Sequence, residues 1–479
     1  MDNAESVLKR AFAAHNAGHY DEAEELCRSL AEGGMRDEQL FFLLGMALHK
    51  MGRDIEANQW LKRAGQLQPN SARVWSALGV VWQALADFRK AARYFARAAE
   101  LEPRQANHFY GLGNAVYQLD ELERATEAFQ RGVQLNPRDA ECWNNLGKCL
   151  KELNRIDEAI AAYDRAVQLK PGYLAALQGR AISLLTAGRL TEGYRDYELR
   201  WHTLRRRKFA MREWDGRPIP GKTLFLHAEQ GFGDGIQSAR YAKLARQRCA
   251  RVILECRPQL KTLFVHSGVA DHVIAFGEAV PAADFVNSVI SLPGLLGFTL
   301  QSLPGDVPYL RAPPAAQPIA AAGRLKVGLV WAGSPTHRDD VNRSMPLAML
   351  APVLAVPDIS FYSLQMPIPK RDAATVKDFP SLKKLGGFKD YLGTASAVAQ
   401  MDLVISVDTS VAHLAGALAK PVWTLVQFAP DWRWFAQFGD RTPWYPTMRL
   451  FRQPRRGDWQ SVVAQVAAEL TSHGARHQV

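Results

Sequence analysis

The chain has 479 residues, 47% hydrophobic and 22% charged, which is enough apolar content to bury the cores of about three domains and too much for a disordered protein. Five cysteines, Cys27, Cys142, Cys149, Cys249 and Cys256, contain no C-x-x-C pair, so neither structural zinc nor a disulfide framework is expected and a cytoplasmic setting fits. The net charge of +11 is dispersed along the chain, and the acidic start Met1-Asp2-Asn3-Ala4-Glu5-Ser6 lacks an apolar run, so we expect no nucleic-acid partner, no signal peptide and no stable membrane insertion.

The first two-fifths repeat. Alanine recurs at Ala23, Ala57, Ala91, Ala125 and Ala159, and proline at Pro69, Pro103, Pro137 and Pro171, both every 34 residues. Gly45, Gly79, Gly113 and Gly147 keep the same interval, as required where two helices approach closely, and Trp75, Trp143, Phe95, Phe129 and Tyr163 supply the bulk between them. The copy Trp75-x-x-Leu78-Gly79-x-x-Trp82, followed by Ala91, Phe95, Ala98 and Pro103, resembles the tetratricopeptide repeat. We read five full repeats, 4–37, 38–71, 72–105, 106–139 and 140–173, and a degraded sixth from Leu174 in which Gly193 replaces the small alanine and Tyr197 keeps the aromatic place. The resemblance implies an α-solenoid over 1–203 whose concave face recruits a protein, with self-association as the alternative use. Tetratricopeptide-bearing protein O-glycosyltransferases prompt a search for a ladder of concave asparagines. None is present: the positions equivalent to Asn145 are Gly111, Ala77 and Leu43, and Asn114 and Asn144 serve equally as ordinary polar surface.

After a basic run, Arg205-Arg206-Arg207-Lys208, which reads as a solvated joint or a rest for acidic lipid or phosphate, the rhythm changes. Thr223-Leu224-Phe225-Leu226-His227 is a short strand, Gln230-Gly231-Phe232-Gly233-Asp234-Gly235 a loop, and 236–248 a helix; Arg251–Cys256 follows as a second strand. Gly231-x-Gly233 with Glu255 invites a dinucleotide reading, but Ile236 stands where the third glycine belongs, and Asp234 would meet pyrophosphate with like charge. Strands at 272–276 and 285–290 complete a first lobe, 204–316, closed by Ala312-Pro313-Pro314-Ala315-Ala316-Gln317-Pro318. A second lobe, 317–479, opens with strands at 326–331 and 361–365. It continues through Val404-Ile405-Ser406-Val407-Asp408, where a strand breaks and re-enters as a helix behind Thr409 and Ser410, and then a strand at 422–426. Such a helix start leaves N–H groups for an anion. Trp432 and Trp434 either stack on a base or sugar or seal a loop, and the helix from Trp459 to Leu470 is structural.

Three motifs in this order resemble the GT-B glycosyltransferases of the heptosyltransferase family (glycosyltransferase family nine-like). They are Gly233-Asp234 after the first strand; Trp331-Ala332-Gly333-Ser334 with Arg338-Asp339-Asp340 and Arg343-Ser344-Met345-Pro346; and Asp408-Thr409-Ser410-x-x-His413-Leu414-Ala415-Gly416-Ala417. The resemblance covers about 205–470 and makes the fold class α plus α/β: a tetratricopeptide solenoid followed by a two-lobed, twin Rossmann-like GT-B domain. It implies a metal-independent, inverting transferase with no cofactor, in which Asp234 is the general base, with Glu229 and His227 in reserve. Arg343, Thr409, Ser410, His413, Ser334 and Gln365 are expected to hold a nucleotide-sugar donor and its leaving diphosphate, while Gly231, Gly233 and Asp408 shape the loops. No D-x-D or H-E-x-x-H motif suggests a metal site. The expected product is a glycosylated Ser or Thr of a bacterial protein, of the flagellin type or another protein modified before export. A lipid-linked saccharide acceptor and a non-catalytic scaffold are the alternatives.

Overall fold

The computed structural model describes residues 4–204, 206–315, 317–320, 325–337, 339–385 and 387–476. Of the residues singled out in the sequence, Met1–Asn3, Arg205, Ala316 and Arg338 lie outside that set. The chain divides into two compact units, Met1–Arg180 and Ala181–Val479.

The first unit is a tetratricopeptide solenoid of paired helices: α1 (Ala4–Asn16) and α2 (Tyr20–Glu32), α3 (Glu38–Lys50) and α4 (Asp54–Leu67), α5 (Ala72–Ala84) and α6 (Phe88–Leu101), α7 (Ala106–Gln118) and α8 (Leu122–Leu135), α9 (Ala140–Glu152) and α10 (Ile156–Leu169). α11 (Leu174–Thr186) and α12 (Leu190–Tyr197) follow at the same spacing. The 34-residue period has a steric basis. A Cβ at Gly79 would lie 2.9 Å from the Phe95 ring, and one at Gly113 2.7 Å from the Phe129 ring, so only glycine lets each helix pair close. Phe95 is also covered by Gly111 of the next repeat, and Tyr163 by Gly147 and Gly179. Gly111 and Gly179 occupy positions where an asparagine ladder would sit, and the rings pressed on them leave no room for one there. A second periodic feature went unread in the sequence. The second residue past the first helix of each pair has positive φ, at Gly18, Gly52, Ala86, Asp120, Asn154 and Gly188, a left-handed turn that glycine adopts with least strain.

The second unit holds two parallel sheets. The first has the order β1-β5-β2-β3-β4, from β1 (Arg212–Glu213), β2 (Ile219–His227), β3 (Cys249–Cys256), β4 (His272–Ala275) and β5 (Phe285–Ser288). The second has the order β11-β10-β9-β6-β7-β8, from β6 (Leu325–Val330), β7 (Ile359–Ser363), β8 (Leu382–Lys384), β9 (Leu403–Val407), β10 (Val422–Val426) and β11 (Met448–Arg452). The helices are α13 (Phe232–Ala245), α14 (Lys261–Ser267), α15 (Leu292–Leu295), α16 (Asp340–Arg343), α17 (Ala351–Leu354), α18 (Tyr391–Ala399), α19 (Ser410–Ala417) and α20 (Trp459–Arg476). Every strand expected from an apolar run is present; the short edge strands β1 and β8, and β11, were not foreseen.

In each sheet the strand order reverses, between β2 and β5 in the first and between β6 and β9 in the second. In doubly wound sheets the carboxyl ends at such a reversal form the binding crevice. A single apolar cluster, including Leu224, Leu226, Ile236 and Ala239 of the first lobe and Val404, Ala412, Leu414 and Val422 of the second, joins the two sheets through α13 and α19. A second cluster, with Val327, Leu329, Val407 and Val466 among its members, seals the far face of the second sheet under α20. Arg240 of α13, buried, donates to the carbonyls of Pro304 (2.7 Å) and Trp444 (2.9 Å), adding a polar tie across the same joint.

Candidate functional site

The carboxyl ends of β2 and β9 face each other because α13 and α19, which begin there, pack together. α13 starts at Phe232, with Gly231 as its N-cap and earlier than the apolar pattern suggested, which places Asp234 in its first turn. There Asp234 Oδ2 accepts the Gly231 backbone N–H at 2.7 Å, the usual way a carboxylate steadies a helix start. Its Oδ1 is ion-paired with Arg433, so both oxygens are engaged. Gly233 lies against α19: a Cβ there would be 3.0 Å from His413 Cδ2 and 3.6 Å from Ser410 Cα.

Across the seam, Thr409 takes the N-cap position of α19 in extended conformation, yet its hydroxyl turns to Ser406 Oγ (2.9 Å) instead of capping the helix. The first-turn N–H groups are thus left without a side-chain cap, and the helix dipole favours an anion there. Ser410 Oγ is 2.6 Å from the Tyr391 hydroxyl. His413 is buried, stacked on Trp434 with ring centroids 4.9 Å apart and 3.0 Å from Tyr445 Oη through Nδ1. Burial, with Arg433 nearby, pushes its pKa down to about 3, so it is neutral and acts as packing between the lobes.

Arg343 stands over Gly333, with Nε 3.4 Å from Asp340 Oδ1. It is near enough to Asp408 to favour that carboxylate's charge, but burial and the neighbouring Asp431 win and raise the Asp408 pKa. Asp431 moves the other way: burial opposes its charge, but Arg433 holds it low, with Nη1 2.7 Å from its Oδ1. Burial and Arg343 lower the pKa of His337, against the pull of Asp339, Asp431 and Asp234. The structure therefore gathers Asp234, Arg343, Asp408, Thr409, Ser410 and His413 around one seam.

Two sequence candidates sit differently. Gln365 is buried at the carboxyl end of β7, and its amide is spent on the backbone: Oε1 accepts from Trp331 N (3.1 Å) and Ala332 N (3.0 Å), and Nε2 donates to the Pro367 carbonyl (3.1 Å). It pins the Trp331–Gly333 turn. Ser334 is exposed, its hydroxyl 2.8 Å from that of Thr336. The reserve bases are occupied as well. Glu229 is paired with Arg200 and with the Ser288 hydroxyl, and His227 is packed against Trp201 and Phe209.

Glu255, the acidic residue of the dinucleotide pattern, is buried and held by Arg207 and the Ala228 N–H (3.1 Å). Arg206 pairs with Glu213 at 2.8 Å, so two members of the basic run serve the fold. Trp432 and Trp434 are both buried, Trp432 against Tyr194 and Trp434 on His413, so they seal the loop. The residue that the sequence reading passed over is Arg433, a charge hidden between those two tryptophans; an arginine flanked by aromatics beside Asp431 was the available signal.

Among the described residues no group of three or more His, Cys, Asp or Glu side chains is placed to hold a metal ion, and no helix is long and apolar enough to cross a membrane. Tetratricopeptide repeat family models match residues 76–140 and 140–173. Protein FlbA of Caulobacter vibrioides is 27% identical over 337 residues, which is 63% of this chain and 56% of that protein; the match therefore extends past the repeat array, while the chain spans little more than half the length of the relative. Among solved structures, MamA is similar with 23% identity (34% of this chain, 90% of that one, TM-score 0.33). YrrB, described as a tetratricopeptide protein with an unusual peptide-binding site, has 20% identity (38% and 93%, TM-score 0.35). Pseudomonas aeruginosa pilF has 16% identity (42% and 91%, TM-score 0.38).

Proposed function

We propose that residues 181–479 are a GT-B-type glycosyltransferase that moves a sugar from a nucleotide donor to a hydroxyl of a protein recruited by the repeat array, as tetratricopeptide surfaces recruit peptides and proteins. The observation that carries this reading is the meeting, at one seam, of the strand-reversal points of two doubly wound parallel sheets. One brings Asp234; the other brings the uncapped first turn of α19 with Arg343 nearby. In the proposed step the acceptor oxygen attacks the anomeric carbon while its proton passes to Asp234. The bond from that carbon to the phosphate oxygen breaks with its electrons leaving on phosphate, where Arg343 and the α19 N–H groups stabilise the charge. A single displacement of this kind inverts the anomeric centre. Charge supports an anionic substrate: the first unit has 23 Lys and Arg against 24 Asp and Glu, the second 36 against 24.

The test is a panel of nucleotide sugars with the full-length protein, reading hydrolysis and transfer in the presence of chelator. Turnover that persists in chelator and is lost in a folded Asp234→Ala variant supports the enzyme and its metal independence. A second reading, a scaffold with an inert transferase-like unit, draws on the engagement of both Asp234 oxygens. It predicts no thermal shift with any donor on the panel.

A further inference from the structure

Arg433 is an arginine buried to 8% exposure that holds two carboxylates from opposite sides of the seam, Asp431 of its own loop and Asp234 of α13. Asp431 is its local partner, because the same carboxylate oxygen also accepts the Arg433 backbone N–H at 3.0 Å. Asp234 is the distant one. The guanidinium face lies over the Trp432 ring, 4.3 Å from its centroid, which fixes its plane. Arg433 lines a small cavity with Gln237 and Tyr241, and the Arg433 Nε, Gln237 Nε2 and Tyr241 hydroxyl are all buried with no hydrogen-bond partner among the described residues. A buried arginine short of one bond, in a polar cavity, sits in an arrangement that is not its best-satisfied one.

On both sides a non-glycine residue nearby carries positive φ. Phe435, two residues after Arg433, has φ +48 and ψ 157, and Gln230, four residues before Asp234, has φ +63. Non-glycine residues in this region persist only where the surroundings impose them, and such strain collects at sites that change state. Gln230 is held by the Tyr197 hydroxyl, which its amide meets at 2.7 Å, and by Arg257, which donates to its carbonyl.

We propose that Arg433 exchanges partners: in the unliganded protein it pairs with Asp234, and the phosphate of an arriving nucleotide takes that guanidinium edge and releases Asp234 Oδ1. The exchange rests on the transferase reading of the same seam. It makes the base available only when donor is present, since an anion with two or more acceptor oxygens competes for a guanidinium edge better than one carboxylate oxygen does. Arg433 is thus a donor-sensing residue, and Asp431, which stays bound throughout, keeps it in place.

Competition has a signature that a structural ion pair lacks. Removing the charge of Asp234 frees Arg433 for phosphate, so in the full-length protein Asp234→Asn should bind its nucleoside mono- or diphosphate about fivefold more tightly by calorimetry. Arg433→Gln should bind about tenfold more weakly, with Arg433→Lys as the variant to use if the glutamine protein does not fold. In the double variant the gain from Asp234→Asn should vanish, and inorganic pyrophosphate should compete with nucleotide more weakly in the proteins that lack Arg433 than in the wild type or Asp234→Asn. Unchanged or weaker binding by Asp234→Asn, or a gain that survives without Arg433, overturns the exchange while leaving the transferase reading intact. No binding of any nucleotide to the wild type removes both.

Discussion

At the scale of single residues, the seam is a place where small changes have large steric or electrostatic consequences. A Cβ at Gly233 would meet His413 Cδ2 at 3.0 Å, tighter than an ordinary contact, and His413 is stacked on Trp434, which resists its shift. Gly233→Ala should therefore lower stability by about 1–3 kcal/mol, read as a reduced urea midpoint. Asp408 and His413 set opposite pH dependences. The folded Asp408 pKa lies above its ordinary 3.8, at about 6, so ionising it costs stability progressively as pH rises through that interval, and the cost stays constant at higher pH. Asp408→Asn should thus stabilise the protein at pH 8 and give no gain at pH 3. His413 is held neutral down to about 3 while the unfolded chain takes up its proton near 6.5, so its contribution is complete above 6.5 and fades as pH falls. On going from pH 6.5 to 4, the denaturation midpoint of His413→Gln should lose less, or gain more, than that of the wild type.

At the scale of elements, the solenoid repeats two features: a glycine where an aromatic ring presses, in the repeats 72–105, 106–139 and 140–173, and a left-handed residue at the turn of every helix pair. Repeats deviate from them at measurable cost. Ala86 adopts φ +58 in the place where Gly18, Gly52 and Gly188 sit, so Ala86→Gly should raise the thermal midpoint, by about 0.5–1 kcal/mol in free energy. Gly111→Asn, which would build one rung of an asparagine ladder, should instead unfold the neighbouring repeats, because the Phe95 ring already fills that space. Protease sensitivity of residues 72–139 would report it. Asn145 can exist at the equivalent place in the next repeat, where it donates to Asn114 at 2.9 Å. In the second unit the strand ends matter more than the strands. β9 and α19 are ordinary in sequence, yet the turn between them leaves helix N–H groups uncapped because Thr409 turns to Ser406.

At the scale of the molecule, the excess positive charge belongs to the unit with the seam, and the repeats are close to neutral. Under the proposed function the two units divide the work: residues 181–479 alone should retain nucleotide binding within about twofold, while transfer to the natural acceptor falls by about tenfold or more when the repeats no longer raise its local concentration. Comparing calorimetry with acceptor turnover for the two proteins checks this. By itself the sequence determined the features that depend on neighbours along the chain. The 34-residue period placed the helix pairs, and apolar runs placed β2 to β7, β9 and β10, because side-chain periodicity and turn chemistry act over a few residues. It also brought Asp234 and the Asp408–His413 segment to notice, since both lie where a strand gives way to a helix. Tertiary structure alone decided how these were used. A common core packs α13 on α19, and only that packing turns His413 into a wedge on Gly233 and carries Arg433 onto Asp234, while the pairing of β6 with β7 commits Gln365 to the backbone. Residues so far apart in sequence share no local pattern; their meeting is set by which apolar faces exclude water together.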